Sequence, residues 1–252
     1  MQQPVLVVTG LEFEARIAAR ERLHVPRAAR RNAQGRTPWS ISTADGQLRL
    51  LCGPGSSQLN TLVQAAAREG CAGILSFGTV GALAPVLNAG DWVLAREVVC
   101  GGQRHTADPR WLAALARALP EAIRVDYTSA PFPITTVAAK HELYRSTGAS
   151  VVDMETSIVA SVAADCGLPF AACRVVIDAA SRRLPAAAVV SMRNDGSTDL
   201  RAIMAALWRR PADLPPLLRL GRDAALAQRA LRHGRARLGA RFGFPELAAH
   251  LG

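Results

Sequence analysis

Six apolar runs of strand length alternate along this chain with longer stretches whose apolar residues recur at intervals of three and four. The runs are PVLVV (4–8), LRLLC (48–52), AGILSFG (72–78), DWVLAREVV (91–99), FPITTV (132–137) and FAACRVVI (170–177). Short β-branched runs form strands and the longer 3.6-residue period forms helices, so the alternation restricts the chain to an α/β architecture on a parallel or mixed sheet. SQLNTLVQAAAREG (57–70) is the clearest helix, with Ser56 and Ser57 as caps and Gly70 as its stop. METSIVASVAADCG (154–167) repeats the pattern, ends at Gly167 and has Pro169 just beyond. The expectation is a single domain over 1–252, a three-layer α/β sandwich with a central mixed sheet, carrying a basic helical segment from about 198 to 252. Residues 20–37 read as a basic connection, and 181–197 as a loop with a short helical piece.

Composition narrows the function classes. No window of eighteen uncharged apolar residues occurs, and MQQPVLVVTGLEFEAR lacks the basic region and cleavage site of a secretory signal, so a cytoplasmic protein is expected. The five cysteines have unrelated spacings and no CxxC, and the five histidines form no HxxxH or HxH pair, so neither a disulfide framework nor a metal is expected. A net charge of +10 invites nucleic acid, but aromatics are few and no recognition-helix or base-stacking signature accompanies the arginines. Every basic residue except Lys140 is an arginine. Ten arginines against Asp199, Asp213, Asp223 and Glu246 give residues 197–252 a net charge of +6.

In open α/β sheets ligands gather where strands end and helices begin. Searching there collects TGLEFE, GPGSS, GTVGAL, DMET and DAAS, a set dominated by carboxylates and glycines. Glu12 and Glu14 are either first-turn acids favoured by the helix dipole or, for one of them, a carboxylate that activates water. GPGSS and FGTVGAL are turns at which backbone amides can approach an anion or a sugar, yet neither is a dinucleotide fingerprint or a P-loop. Asp178 ends a β-branched run, where an unpaired carboxylate is costly; it either pairs, with Arg174 or Arg182, or is kept partly protonated as a general acid. Glu155 suits a ribose diol, because a carboxylate accepts from both hydroxyls, while Asp153 suits a helix cap. An acid for the leaving base, a carboxylate for the nucleophile and another for the sugar are the parts of N-glycosidic cleavage.

The ordered motifs TGLEFEA, SFGTVGALAPVLNAGDWVLA, VVDMETSIVA and RVVIDAA resemble those of the nucleoside phosphorylase and nucleosidase superfamily, which includes methylthioadenosine/adenosylhomocysteine nucleosidases. Within it, TGLEFEARIA, LPFAACRVVIDAA and ALWRRPADLPPLLRLGRDA look most like the hopanoid-associated phosphorylases, which act on adenosylhopane. The resemblance implies that Asp178 protonates the purine as the base leaves, that Glu155 binds the ribose hydroxyls with Met154 packed on the sugar, and that Glu14 orients the attacking water. It places Thr79 and Gly78 near the sugar or phosphate and Val137 in the segment lining the base. It implies no cofactor, with inorganic phosphate as a conceivable co-substrate, and a small-molecule or lipid-linked adenine nucleoside as partner. A homo-oligomer is also implied, with residues of GGQRHTAD, including His105, closing a neighbour's pocket.

Two positions depart from that pattern. Ile177 precedes the acid where the nucleosidases carry a serine that fixes it, so Asp178 needs another orienting partner or a higher pKa. TTVAAKHEL has Lys140 where an aromatic ring would stack on adenine. Water and phosphate stay open as nucleophiles, Glu14 favouring water. The tail is open as well: Leu217, Leu220, Ala224, Ala227, Leu231 and Leu238, with Gly234 at the missing step, form a stripe that either packs on the domain or lies on a membrane surface.

Overall fold

The computed structural model describes residues 2–20, 38–53, 55–184 and 214–245. Most of the two connecting segments named above, and the helical pattern between 198 and 213, lie outside them.

Nine strands form one mixed sheet: β1 (Val5–Thr9), β2 (Trp39–Ser42), β3 (Leu48–Cys52), β4 (Gly73–Ala82), β5 (Trp92–Cys100), β6 (Gln103–Thr106), β7 (Ile123–Ser129), β8 (Val151–Asp153) and β9 (Phe170–Asp178). Their order is β2-β3-β1-β4-β8-β7-β5-β6, and β9 pairs with both β4 and β5. Since β4 also pairs with β8, β8 with β7 and β7 with β5, five strands close on themselves while β1, β3 and β2 extend the sheet to one side. β1 lies parallel to β3 and β4, and β4 parallel to β9, so several strands end at the same side of the sheet.

Strand alternation feeds two cores. Leu6 and Val8 of β1 join one cluster with Leu59, Val63 and Val159, from α2 (Ser57–Glu69) and α5 (Thr156–Asp165). Val5 and Val7 join the other, with Ala18 of α1 (Glu12–Ala19), Trp111 and Leu115 of α3 (Pro109–Ala118), and Ala227 and Leu231 of α6 (Leu214–Arg237). Helices on both faces of the sheet give the three layers.

One expected strand is absent. FPITTV leads into α4 (Val137–Thr147), whose N-cap Thr136 accepts the Ala139 amide. Pro131 and Pro133 carry no amide hydrogen for a ladder, which disfavours a strand there. The C-terminal part of α6 packs on the domain: Ala227 and Leu231 are buried, as is Leu238 just beyond the helix, and a Cβ at Gly234 would lie 2.3 Å from Trp92. Its N-terminal part leaves Leu218 and Leu226 exposed.

Candidate active site

Glu14 lies in the first turn of α1, shortly after β1, and is buried. Its Oε2 accepts the amides of Gly10 and Leu11 at 3.1 and 3.0 Å, and its Oε1 accepts the amide and the hydroxyl of Thr79 at 2.7 and 2.6 Å. The side chain thus ties the end of β1 to the middle of β4. Gly78 makes this approach possible, since at φ 148° a Cβ would lie 2.5 Å from the Glu14 carboxyl. Glu12 points elsewhere and pairs with Arg16 on its own helix.

Glu155 lies on the other side of Gly10, where a Cβ would meet its Oε1 at 2.8 Å. The Gly55 amide of GPGSS donates to that same oxygen at 3.3 Å, and a Cβ on Gly55 would fall 1.7 Å from the Met154 carbonyl. Two glycines therefore let the β1 end and the GPGSS turn close on the chain at 154–155. Asp153 faces inward too, accepting the Ser129 hydroxyl at 2.7 Å and the Thr156 amide at 3.1 Å, the bond expected of a helix-terminal acid.

At the centre is Arg174, on β9 and 1% exposed. Its Nε is 2.9 Å from Asp153 and its Nη2 3.2 Å from Glu155; it also donates to Ser76 Oγ at 2.8 and 3.0 Å and to the Thr79 carbonyl at 2.8 Å. One guanidinium thus serves three buried carboxylates, Asp153, Glu155 and Glu14, which hold it charged. Three anions against one cation cannot all stay ionised without cost. Burial pushes the Glu155 carboxyl up to about 8, and Glu14 is raised for the same reason, with Arg174 opposing in both cases.

Asp178 closes β9. The β4–β9 register pairs Val80 with Val176 and then Gly81 with Asp178, so Ile177 is passed over by the ladder. The partner of Asp178 is neither Arg174, which is engaged as described, nor Arg182, which lies 3.8 Å from Asp223. It is Lys140: the ammonium bonds Asp178 Oδ2 and the Ala179 carbonyl, the latter at 3.0 Å. Burial raises the Asp178 carboxyl, opposed by Lys140. Its Oδ1 is 3.3 Å from the point where a Gly81 Cβ would stand, so glycine leaves space beside it.

Glu14, Thr79 and Gly78 meet at the middle of β4, and Asp178 meets Gly81 two residues beyond Thr79 and three beyond Gly78, about 7–10 Å along the strand. Glu155 and Met154 flank the first group. Val137 is apart from these contacts, exposed on the first turn of α4, three residues before Lys140. Sequence reasoning passed over Arg174 as a hub, Ser76 beneath it, Gly10 between the two glutamates, and Lys140 as the partner of the acid. The signals were an arginine inside an apolar strand and a lone lysine in a chain that otherwise uses arginine. Among the described residues no group of three or more His, Cys, Asp or Glu side chains is arranged to hold a metal ion.

A family model described as the phosphorylase superfamily matches residues 4–209. No curated protein matches the chain. Among solved structures, the 5′-methylthioadenosine/S-adenosylhomocysteine nucleosidase of Neisseria meningitidis, in complex with methylthio-immucillin-A, is similar at TM-score 0.59 and 18% identity, over 92% of this chain and 97% of that one. The corresponding Helicobacter pylori nucleosidase, with butyl-thio-DADMe-Immucillin-A, gives TM-score 0.60 and 14% identity over 93% and 98%. Futalosine hydrolase of Helicobacter pylori gives 0.57 and 14% over 70% and 88%. At these identities the likeness is one of fold.

Proposed function

The chain belongs to the phosphorylase superfamily, and from that premise we propose that it is an enzyme breaking the N-glycosidic bond of a purine nucleoside. The observation that carries the proposal is the division of labour among three buried carboxylates. Glu155 and Glu14 share one end of the site around Arg174, while Asp178 stands about 7–10 Å along β4 with its own cation. In this reading Glu155 accepts the ribose hydroxyls and Met154 packs on the sugar, with Gly78 and Thr79 shaping the floor. Asp178 gives its proton to the ring nitrogen of the departing base, so the base leaves neutral. Val137 belongs to the helix whose first turn borders the base.

Glu14 takes the nucleophile. Its raised carboxyl moves toward the neutral range in which a general base works best. Water fits better than phosphate, because the guanidinium beside Glu14 is already held by Asp153 and Glu155. Base release at the same rate in phosphate-free buffer supports hydrolysis; strict dependence on phosphate overturns it.

The finer reading, carried by sequence resemblance, is release of adenine from adenosylhopane; a methylthioadenosine- or adenosylhomocysteine-type substrate is the alternative. No helix among the described residues is long and apolar enough to cross a membrane. A lipid-linked substrate would be met by peripheral contact. The exposed Leu218 and Leu226 support this, as does a cavity of about 410 Å³ bordered by Arg182, Arg219, Arg222 and Asp223. Turnover of adenosylhopane in preference to methylthioadenosine by the purified protein supports this assignment, and the reverse preference removes it. The proposal extends to a homo-oligomer, with His105 on edge strand β6 at the contact, tested by light scattering.

A further inference from the structure

We infer that Lys140 is the positioning residue of the acid, an ammonium that fixes one oxygen of Asp178 and leaves the other to the purine. The inference rests on the reading of Asp178 as the proton donor and goes beyond it by naming what makes that donor work.

Four observations converge. Lys140 is the only residue of α4 that is fully buried, at 1% exposure, while Tyr144 of the same helix packs half-buried on the core, so the deepest contact of the helix is a charge. Its Nζ bonds Asp178 Oδ2 and the Ala179 carbonyl, which fixes the carboxylate from one side. Oδ1, the oxygen that Lys140 does not bond, lies beside Gly81, 3.3 Å from where a Cβ would stand. Lys140 is also the only lysine in a sequence whose other basic residues are all arginine. A compact ammonium can reach a single carboxylate oxygen from within a helix turn, whereas a planar guanidinium would span both and block the donor.

A fold does not need this pair, since replacing a buried ion pair with apolar residues of like volume is often neutral or stabilising. The chemistry does need something there. Ile177 is out of the β4 register and offers no hydrogen bond to the acid, so orientation comes from α4 instead. As the glycosidic bond breaks, its electron pair moves onto the purine, a ring nitrogen takes the proton from Asp178, and the carboxylate left behind is neutralised by the ammonium already in contact. The water oxygen bonds the anomeric carbon and gives one proton to Glu14; Glu14 then releases that proton to solvent and Asp178 takes one up, so the cycle closes on neutral base and free sugar. The other charges acting on Asp178 come from α6 and the segment after β9: Asp223 opposes its ionisation, and Arg182 lies 3.8 Å from Asp223.

Two measurements test this. Because there is one lysine, protein labelled with ε-¹³C lysine yields a single lysine signal. In the wild type it should respond to Asp178 ionisation and to an added purine nucleoside analogue, and D178N should abolish the pH response. A signal that responds neither to the Asp178 transition nor to D178N overturns the inference. In kinetics, K140M should lower kcat at least tenfold with KM within about twofold, and should move the alkaline limb of kcat/KM upward by a pH unit or more. Ethylammonium should restore K140A saturably. K140M with the wild-type rate and pH profile overturns the role. Should K140M not fold, the lysine signal of the intact protein decides. If that signal behaves as expected but no base is released from any purine nucleoside, the functional reading fails while the Lys140–Asp178 pair stands.

Discussion

In the proposed mechanism Asp178 is the residue on which the chemistry turns. D178N keeps the shape of the side chain but has no proton of suitable acidity to give, so kcat should fall by about 10²-fold or more while nucleoside binding persists in calorimetry. Gly78 is nearly as sensitive for a different reason. G78A sets a Cβ 2.5 Å from the Glu14 carboxyl on a backbone at φ 148°, and should cost about 1–3 kcal/mol by chemical denaturation as well as activity. The acids were legible in the sequence because carboxylates rarely end apolar strands without a reason. Their partners were not, because side-chain pairing across β4, β9 and α4 depends on register: Asp178 was open to pairing with Arg174 or Arg182, and the fold gives it Lys140.

At the scale of elements, β1, β3, β4, β9 and the first half of β5 were readable because strands buried on both faces are mostly apolar. Short or polar strands such as β2, WSIS, and β6, QRHT, were not, since neighbours rather than propensity make them strands. FPITTV erred the opposite way, its apolar content outweighing its prolines. For the C-terminal helix, the stripe of Ala227, Leu231 and Leu238 packs on the sheet, and Gly234 admits Trp92. G234A should therefore overpack that contact by about 1–3 kcal/mol, seen as a lowered Tm without change in KM. The exposed leucines at 218 and 226 make no such contribution, so L218E/L226E should fold like the wild type while losing any binding to anionic vesicles.

At the scale of the whole molecule, burying three carboxylates around one guanidinium leaves a signature in stability. The Glu155 carboxyl rises from 4.5 to about 8 on folding. Between those values the folded chain holds a proton that the unfolded chain has released, so unfolding free energy falls as pH rises across the window. The slope is at most about 1.4 kcal/mol per pH unit for each such proton. E155Q should flatten that slope in denaturation curves taken from pH 5 to 8, and an unchanged slope would assign the linkage elsewhere.

The central claim, cleavage of a purine N-glycosidic bond by water held at Glu14, is tested most directly with H₂¹⁸O. Purified protein and a 5′-substituted adenosine in phosphate-free buffer should yield free adenine and a sugar carrying one ¹⁸O at its anomeric carbon, read by mass spectrometry immediately after mixing. E14Q should lose that product. Absence of adenine, or a sugar product that appears only as its 1-phosphate when phosphate is added, would contradict the account.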